Sequence, residues 1–120
     1  MPTALWIAHV KVTDPERYAK YASGATVAIA EHDGVFLARN GAYEQLEGND
    51  RARNVVARFP SLKAAHECYY SDAYQAALKF AEGAAERDLM IVEELDCLRW
   101  ACSVLATHAL AIRIEGWFGE

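Results

Sequence analysis

Between residues 4 and 95 the hydrophobic period of the chain switches from two to roughly 3.6 and back again, twice, and each switch falls on a turn or cap signal. Residues 4–12 alternate and are rich in β-branched and aromatic side chains, as a strand requires. Thr13-Asp14-Pro15-Glu16 then reads as a helix start, with Asp14 able to cap and Pro15 at the first helical position, where a missing N–H costs nothing. Tyr18, Tyr21, Ala22, Ala25 and Ile29 recur at helical spacing. Gly24 interrupts that pattern and is expected to loosen or bend the helix, and Gly34 is expected to end it in the left-handed conformation.

Val35 to Arg39 reads as a second strand and Asn40-Gly41 as a hairpin dipeptide, followed by a short extended segment over 42–47 and a turn at Gly48-Asn49-Asp50. Arg53 to Phe59 forms the third strand, closed by Pro60. Ser61 and Ser71 are placed to cap two short helices, one presenting Leu62, Ala65 and Tyr69, the other Tyr74, Ala77, Leu78 and Ala81. Leu89 to Leu95 is the last clear strand. The order strand, helix, strand, strand, broken helix, strand is most economically satisfied by a four-stranded antiparallel sheet with its helices on one face, an α+β ferredoxin-like β-α-β-β-α-β sandwich. Both faces of the first strand are apolar, Trp6 and Val10 on one side and Leu5 and Ile7 on the other. The uncovered face therefore needs a partner, and the sheet of a second copy is the simplest one.

Composition narrows the class of protein. With 53% hydrophobic and 24% charged residues in 120, the chain reads as one globular domain with a single core. A net charge of −5 and scattered basic residues argue against a nucleic-acid partner. The densest basic run, Arg51-Ala52-Arg53, reads as a solvated loop. No secretory signal is expected at Met1-Pro2-Thr3, and Cys68, Cys97 and Cys102 lack metal-type spacing. Reduced, mostly buried thiols in a cytoplasmic protein are the expectation, with no metal and no cofactor.

The chain resembles the domain-of-unknown-function 1330 family, within the dimeric α/β-barrel superfamily. The resemblance is carried by Trp6-Ile7-Ala8-His9-Val10, Val12-Thr13-Asp14-Pro15, Phe36-Leu37-Ala38-Arg39 with Gly41, and Leu46-Glu47-Gly48. It continues through Phe59-Pro60-Ser61, Tyr69-Tyr70-Ser71 with Tyr74, and Ala84-Ala85-Glu86-Arg87-Asp88. It implies a ferredoxin-like subunit whose sheet pairs with another across a dimeric α/β barrel. The chain departs from the family where paired glycines are replaced by Asp33-Gly34 and Asn40-Gly41, and where Pro-Glu is replaced by Asp72-Ala73. It also departs at Ala81, where the family commonly has a basic residue, so a ligand role for that residue does not carry over. Residues 1–95 are thus expected to form the barrel domain and 96–120 an apolar C-terminal helical extension. In that tail Leu98, Cys102, Leu105, Ala109 and Ile112 make a helical seam. The stretch between Arg99 and Arg113 is about 13 residues, short of the ~20 that span a bilayer, so no membrane is expected.

Strand parity supplies the candidate site. His9 shares a face with Leu5, Ile7 and Lys11, Arg39 with Val35 and Leu37, and Glu93 with Leu89 and Ile91. If all three faces are the open side of the sheet, polar groups meet an apolar pocket, as small-molecule sites do. His9 would then carry protons and Arg39 would bind a carboxylate or enolate oxygen. Glu47, His32, Tyr69 and Tyr74 are the candidate substrate-binding residues around them. Each also has a plain structural reading: His9 as a hydrogen-bonded strand residue, His32 as a helix-end cation, Glu47 as a partner for Arg39, and Tyr69 and Tyr74 as core. Two functions remain open. One is a small-molecule enzyme performing cofactor-free oxygenation or isomerisation of an apolar, carbonyl-bearing substrate. The other is a non-catalytic ligand-binding or oligomer-assembly module. Both act as a homodimer or higher homo-oligomer.

Overall fold

The computed structural model describes residues 2–95. The helical extension expected over 96–120, with Cys97 and Cys102, lies outside the described residues. Four strands, β1 (Ala4–Val12), β2 (Val35–Arg39), β3 (Arg53–Phe59) and β4 (Ala85–Glu93), alternate with α1 (Pro15–Glu31), α2 (Leu62–Tyr69) and α3 (Asp72–Ala81). The sheet order is β2-β3-β1-β4, with every pair antiparallel. Each central strand is joined through helices to the edge strand beyond the other central strand, β1 through α1 to β2 and β3 through α2 and α3 to β4, which is the ferredoxin-like α+β arrangement expected from the order of elements.

The caps act where the sequence places them. Asp14 accepts a hydrogen bond from the Arg17 backbone N–H, Ser61 from that of Ala64, and Ser71 from that of Tyr74. The helices cover one face of the sheet. Ala4, Trp6, Ala8 and Val10 of β1 point toward them, with Ala57 and Phe59 of β3, and all six are buried. Trp6 is ringed by Phe59, Tyr69 and Tyr74 at centroid distances of 5.6, 6.2 and 5.2 Å.

Several local expectations are corrected. Gly24 does not break α1. The helix runs unbroken past it because α3 packs close, and an added Cβ would come within 2.8 Å of the Ala77 Cβ. Asp33, not Gly34, takes the left-handed conformation, at φ 64°. Gly34 is required instead for space, since a Cβ there would meet Ile29 and the Phe59 ring at 2.6 and 2.8 Å. Asn40-Gly41 makes no tight hairpin. Residues 40–52 form an irregular loop without the extended segment expected over 42–47, and Asn40 is held by its N–H to the Asn54 carbonyl at 2.9 Å. On α2, Ala65 and Cys68 are buried while Leu62 is exposed. β4 begins at Ala85, four residues before the expected start, because its pairing with β1 extends to Val12 opposite Ala85.

A β-bulge decides the site. Val35 pairs with Arg58 and Phe36 with Ala57, but Ala38 then pairs with Val56 and Arg39 with Val55. The extra residue shifts the alternation, so Arg39 turns to the helix-covered face rather than staying with Val35.

Candidate active site between α1 and the sheet

On the helix-covered face, paired residues across the strands form rows. One row runs Arg39, Val55, Ala8, Leu89, and the next runs Arg53, Val10, Arg87. Three guanidiniums therefore approach the face that packs against α1. Opposite them α1 presents Tyr18, Tyr21, Ala22, Ala25, Thr26 and Ile29. Ala8, Ala22 and Ala25 are too small to fill the layer, and a cavity of about 30 Å³ is left among them, with Trp6 and Phe36 as further walls. Beside it lies a broad, solvent-open groove of about 700 Å³ that shares Tyr18, Ala22 and Arg53 with it and has Val10, Val12, Pro15 and Ala19 as apolar walls.

Each arginine is held by aromatic or neutral polar groups. Arg87 donates through Nη2 to Tyr21 Oη at 2.7 Å and to Tyr74 Oη at 3.3 Å, and its guanidinium lies 4.5 Å from the centre of the Tyr21 ring. The Tyr21 and Tyr74 hydroxyls share a hydrogen bond of 2.7 Å. Arg53 lies 5.6 Å over the Tyr18 ring, and Tyr18 packs on Tyr21 at 4.9 Å. The result is a continuous stack, Arg53 on Tyr18 on Tyr21 on Arg87. Arg39 stacks on Phe36 at 4.5 Å and donates to Thr26 Oγ1 at 2.8 Å, bridging from β2 to α1 across the cavity edge.

Burial, and then the neighbouring Tyr74, pushes the Tyr21 phenol well above the usual tyrosine range. Burial does the same to Tyr74, against the pull of Arg87. Both are neutral phenols at neutral pH. For Arg87, burial pulls the pKa down, but the Tyr21 and Tyr74 oxygens outweigh it and the net direction is upward, so it stays a cation. Cys68, also buried, has its thiol pushed up to about 11, chiefly by desolvation, and is no nucleophile at neutral pH.

The expected candidates separate. Arg39 and Tyr74 come to the α1 face. His9 does not: it is exposed on the opposite, open face, between its strand neighbours Asn54 and Asp88, and its Nδ1 donates to Asn54 Oδ1 at 2.7 Å. The expectation that His9, Arg39 and Glu93 share one face is overturned. The bulge turns Arg39, and Glu93, Ile91 and Leu89 pair with Ala4, Trp6 and Ala8, on the covered side. His32 caps the end of α1, its Nδ1 donating to the Ala28 carbonyl at 2.9 Å. Glu47 is exposed in the 40–52 loop, its carbonyl accepting from the Gln45 side chain, and no ion pair joins it to Arg39 among the described residues. Tyr69 packs beside Trp6 and Tyr74 and lines a separate groove with His66, Tyr70 and Met90. Arg53, Arg87, Tyr18 and Tyr21 were not among the site residues expected. The sequence signal was there: Arg53 has the parity of Val55, Ala57 and Phe59, and Arg87 that of Leu89 and Ile91, so each is a charge on an apolar stripe.

Among the described residues, no group of His, Cys, Asp and Glu side chains could hold a metal, and no helix is long and apolar enough to cross a membrane.

A four-stranded antiparallel sheet with helices on one face and a cavity beneath the first helix defines a ferredoxin-like α+β domain. The chain belongs to the family described as domain of unknown function (DUF1330), whose model matches residues 3–95. No curated protein matches it in sequence. Among solved structures it is similar to a protein of unknown function from Rhodopseudomonas palustris, with 18% identity and a TM-score of 0.66 over 79% of this chain and 84% of that one. It is also similar to SnoaB, a cofactor-independent oxygenase from Streptomyces nogalater, at 11% identity and a TM-score of 0.53, covering 76% of this chain and 91% of that one. At these identities the likeness concerns the fold.

Proposed function

We propose that this domain is a small-molecule enzyme acting on an apolar, carbonyl-bearing substrate in the cavity between α1 and the sheet, without a cofactor. The observation that carries the reading is Arg39 stacked on Phe36 at the edge of an aromatic cavity that shares walls with a ligand-sized groove. In this reading the apolar body lies along Val12, Pro15 and Ala19 while Arg39 leaves Thr26 to meet the carbonyl oxygen. When the C–H bond next to the carbonyl breaks, its proton passes to a water molecule of the solvent-open groove, its electron pair moves onto the carbonyl oxygen, and the guanidinium stabilises the resulting enolate. Isomerisation follows if the proton returns at another carbon. Oxygenation follows if the enolate carbon gives its electron pair to dioxygen, the co-reactant, and bonds to it, the released proton ending on the resulting hydroperoxide. Among functionally named neighbours, SnoaB is described as a cofactor-independent oxygenase, which agrees with this class of chemistry.

The proposal includes a homodimer joined through the open faces of the sheets. Its support is the apolar character of that face, where Val35 and Met90 are more than half exposed and Leu5, Ile7 and Val56 lie between them. His9 then belongs to the interface. Light scattering should give twice the chain mass at micromolar concentration, and a folded monomer there would sink this part of the proposal.

A second reading, a ligand-binding module without chemistry, is favoured by one observation. None of the side chains lining the cavity is a carboxylate or an imidazole, so no ordinary base is at hand. One experiment separates the two. A panel of aromatic 1,3-dicarbonyl compounds is incubated with the protein under air in deuterated buffer, with oxygen uptake and deuterium incorporation followed. Turnover that falls about a hundredfold or more in Arg39→Ala, with the melting curve unchanged, supports the enzyme. Binding without either change in the parent protein supports the module.

A further inference from the structure

We infer that Arg53 and Arg87 form a carboxylate-binding subsite, so that the ligand of this cavity is an organic acid with an apolar body. The inference rests on the cavity being the ligand site and goes beyond it by naming the charge the ligand must carry. Arg53 and Arg87 are the two ends of one row across the sheet, with Val10 between them, and both point to the helix-covered side. Placing a cation among apolar side chains is costly unless an anion answers it. Neither has an acidic partner among the described residues, where the ion pairs are Arg51 with Asp88, Arg58 with Glu94 and Lys63 with Glu67. Their neighbours are neutral: Tyr18 beneath Arg53, and Tyr21 and Tyr74 around Arg87. The tyrosines stack on both guanidiniums and accept two hydrogen bonds from Arg87, but as neutral phenols they supply no anion to either. Each guanidinium also keeps a buried Nε–H with no acceptor. Two unpaired cations with unused donors, in a chain of net charge −5, mark a place where the missing charge arrives with a ligand.

The shape of the space selects the kind of anion. A planar carboxylate matches a guanidinium edge with two parallel hydrogen bonds. The inner cavity, about 30 Å³, has room for one or two water-sized groups, which suits two carboxylate oxygens. Outside it the groove past Arg53 is walled by Val10, Val12, Pro15 and Ala19, which suits an apolar body.

The test uses the full chain and three matched pairs: benzoate, phenylacetate and 2-naphthoate, each against its uncharged amide, with inorganic phosphate as a separate probe, all by calorimetric titration. At least one acid should bind about tenfold or more tighter than its amide, as charge-assisted hydrogen bonds require. Arg53→Gln and Arg87→Gln should each remove that preference and leave the amide's affinity in place. The Arg53 side chain makes no hydrogen bond among the described residues and only stacks on Tyr18, so Arg53→Gln should still fold, with at most a small drop in melting temperature, and the acid–amide comparison in the parent protein stands without any variant. Equal binding of acid and amide overturns the subsite and leaves the cavity reading intact. Phosphate binding tighter than every acid overturns the carboxylate assignment. A preference that survives in both variants overturns the assignment to these arginines. No binding by any probe up to about 10 mM, the weak limit of specific recognition, overturns subsite and cavity together.

Discussion

The two faces of the sheet are made from alternate residues of the same strands, yet they treat charge in opposite ways. On the open face Arg51 is paired with Asp88, and Arg58 with Glu94, which also accepts from Thr3. His9 is answered by Asn54. On the covered face Arg39, Arg53 and Arg87 meet aromatic rings and hydroxyl groups and no carboxylate. The exposed Arg58 and Asp88 are paired anyway, whereas Arg53 and Arg87, half-buried and each with an Nε–H that finds no acceptor, meet no anion. A fold selected for stability alone would do the reverse, so the covered face carries a demand other than folding.

The largest expected effect tests whether the covered face also holds the core. Trp6→Ala should cost about 3–5 kcal/mol in denaturant titration, because a fully buried ring wedged among Phe59, Tyr69 and Tyr74 leaves a cavity. Ile7→Ala, one residue along but on the open face, should lose stability in a concentration-dependent way if that face pairs two subunits. A concentration-independent loss as large as that of Trp6→Ala would erase the contrast.

Next in size is alkaline pH. Tyr21 and Tyr74 have folded pKa values raised by burial above the ordinary value near 10. The unfolded chain therefore loses those protons first, so their contribution is complete below about pH 10 and is lost as pH rises beyond it. Stability should fall there by about 1.4 kcal/mol per pH unit for each tyrosine, and Tyr21→Phe should remove one share of the slope. A flat profile to pH 11 would mean that these hydroxyls ionise freely in the folded protein.

The fold was readable in the sequence because it depends on period and punctuation, which single residues announce: Asp14-Pro15, Ser61 and Ser71 cap where they were expected to. The site was only half readable. Arg39 was identified but placed on the wrong face, because a bulge between Phe36 and Ala38 leaves no mark in a five-residue strand. Parity along β4 is legible in the sequence, but the face it belongs to is fixed by its register against β1, a long-range property. Arg53 is hidden because a basic residue at a strand start looks like loop, and Arg87 because the apolar run that marks β4 begins only at Leu89. His32 and Tyr69 took their structural roles, and Tyr74 serves both as core and as a hydroxyl partner of Arg87.

A smaller effect bears on the unpaired cation. Replacing Arg87 by Met removes a half-buried charge that no carboxylate answers and keeps an apolar stem, while Tyr21 and Tyr74 can still bond to each other. Arg87→Met should be neutral or stabilising by about 1–2 kcal/mol while abolishing preference for an acid over its amide. A loss of several kcal/mol would show that Arg87 holds the fold together, and the contrast between the faces would narrow to Arg53.

The smallest effect belongs to the paired charges of the open face. Hydrogen bonds from Arg58 and Thr3 hold the Glu94 carboxyl below its usual range. A depressed folded pKa means that the pair stabilises above the ordinary carboxylate pKa and fades as pH falls through the folded value. Because the Arg58 side of the pair is exposed, screening leaves little of this in the folding equilibrium. In Arg58→Ala the Glu94 resonance, followed by NMR from pH 2 to 7, should titrate at higher pH than in the parent, with the melting temperature at neutral pH nearly unchanged. A large drop in melting temperature would mean that the open-face ion pair is itself part of the packed structure, as it would be if a second sheet covers it. Repeating the melt across protein concentrations distinguishes the two, because only a pair buried between subunits gives a drop that grows on dilution.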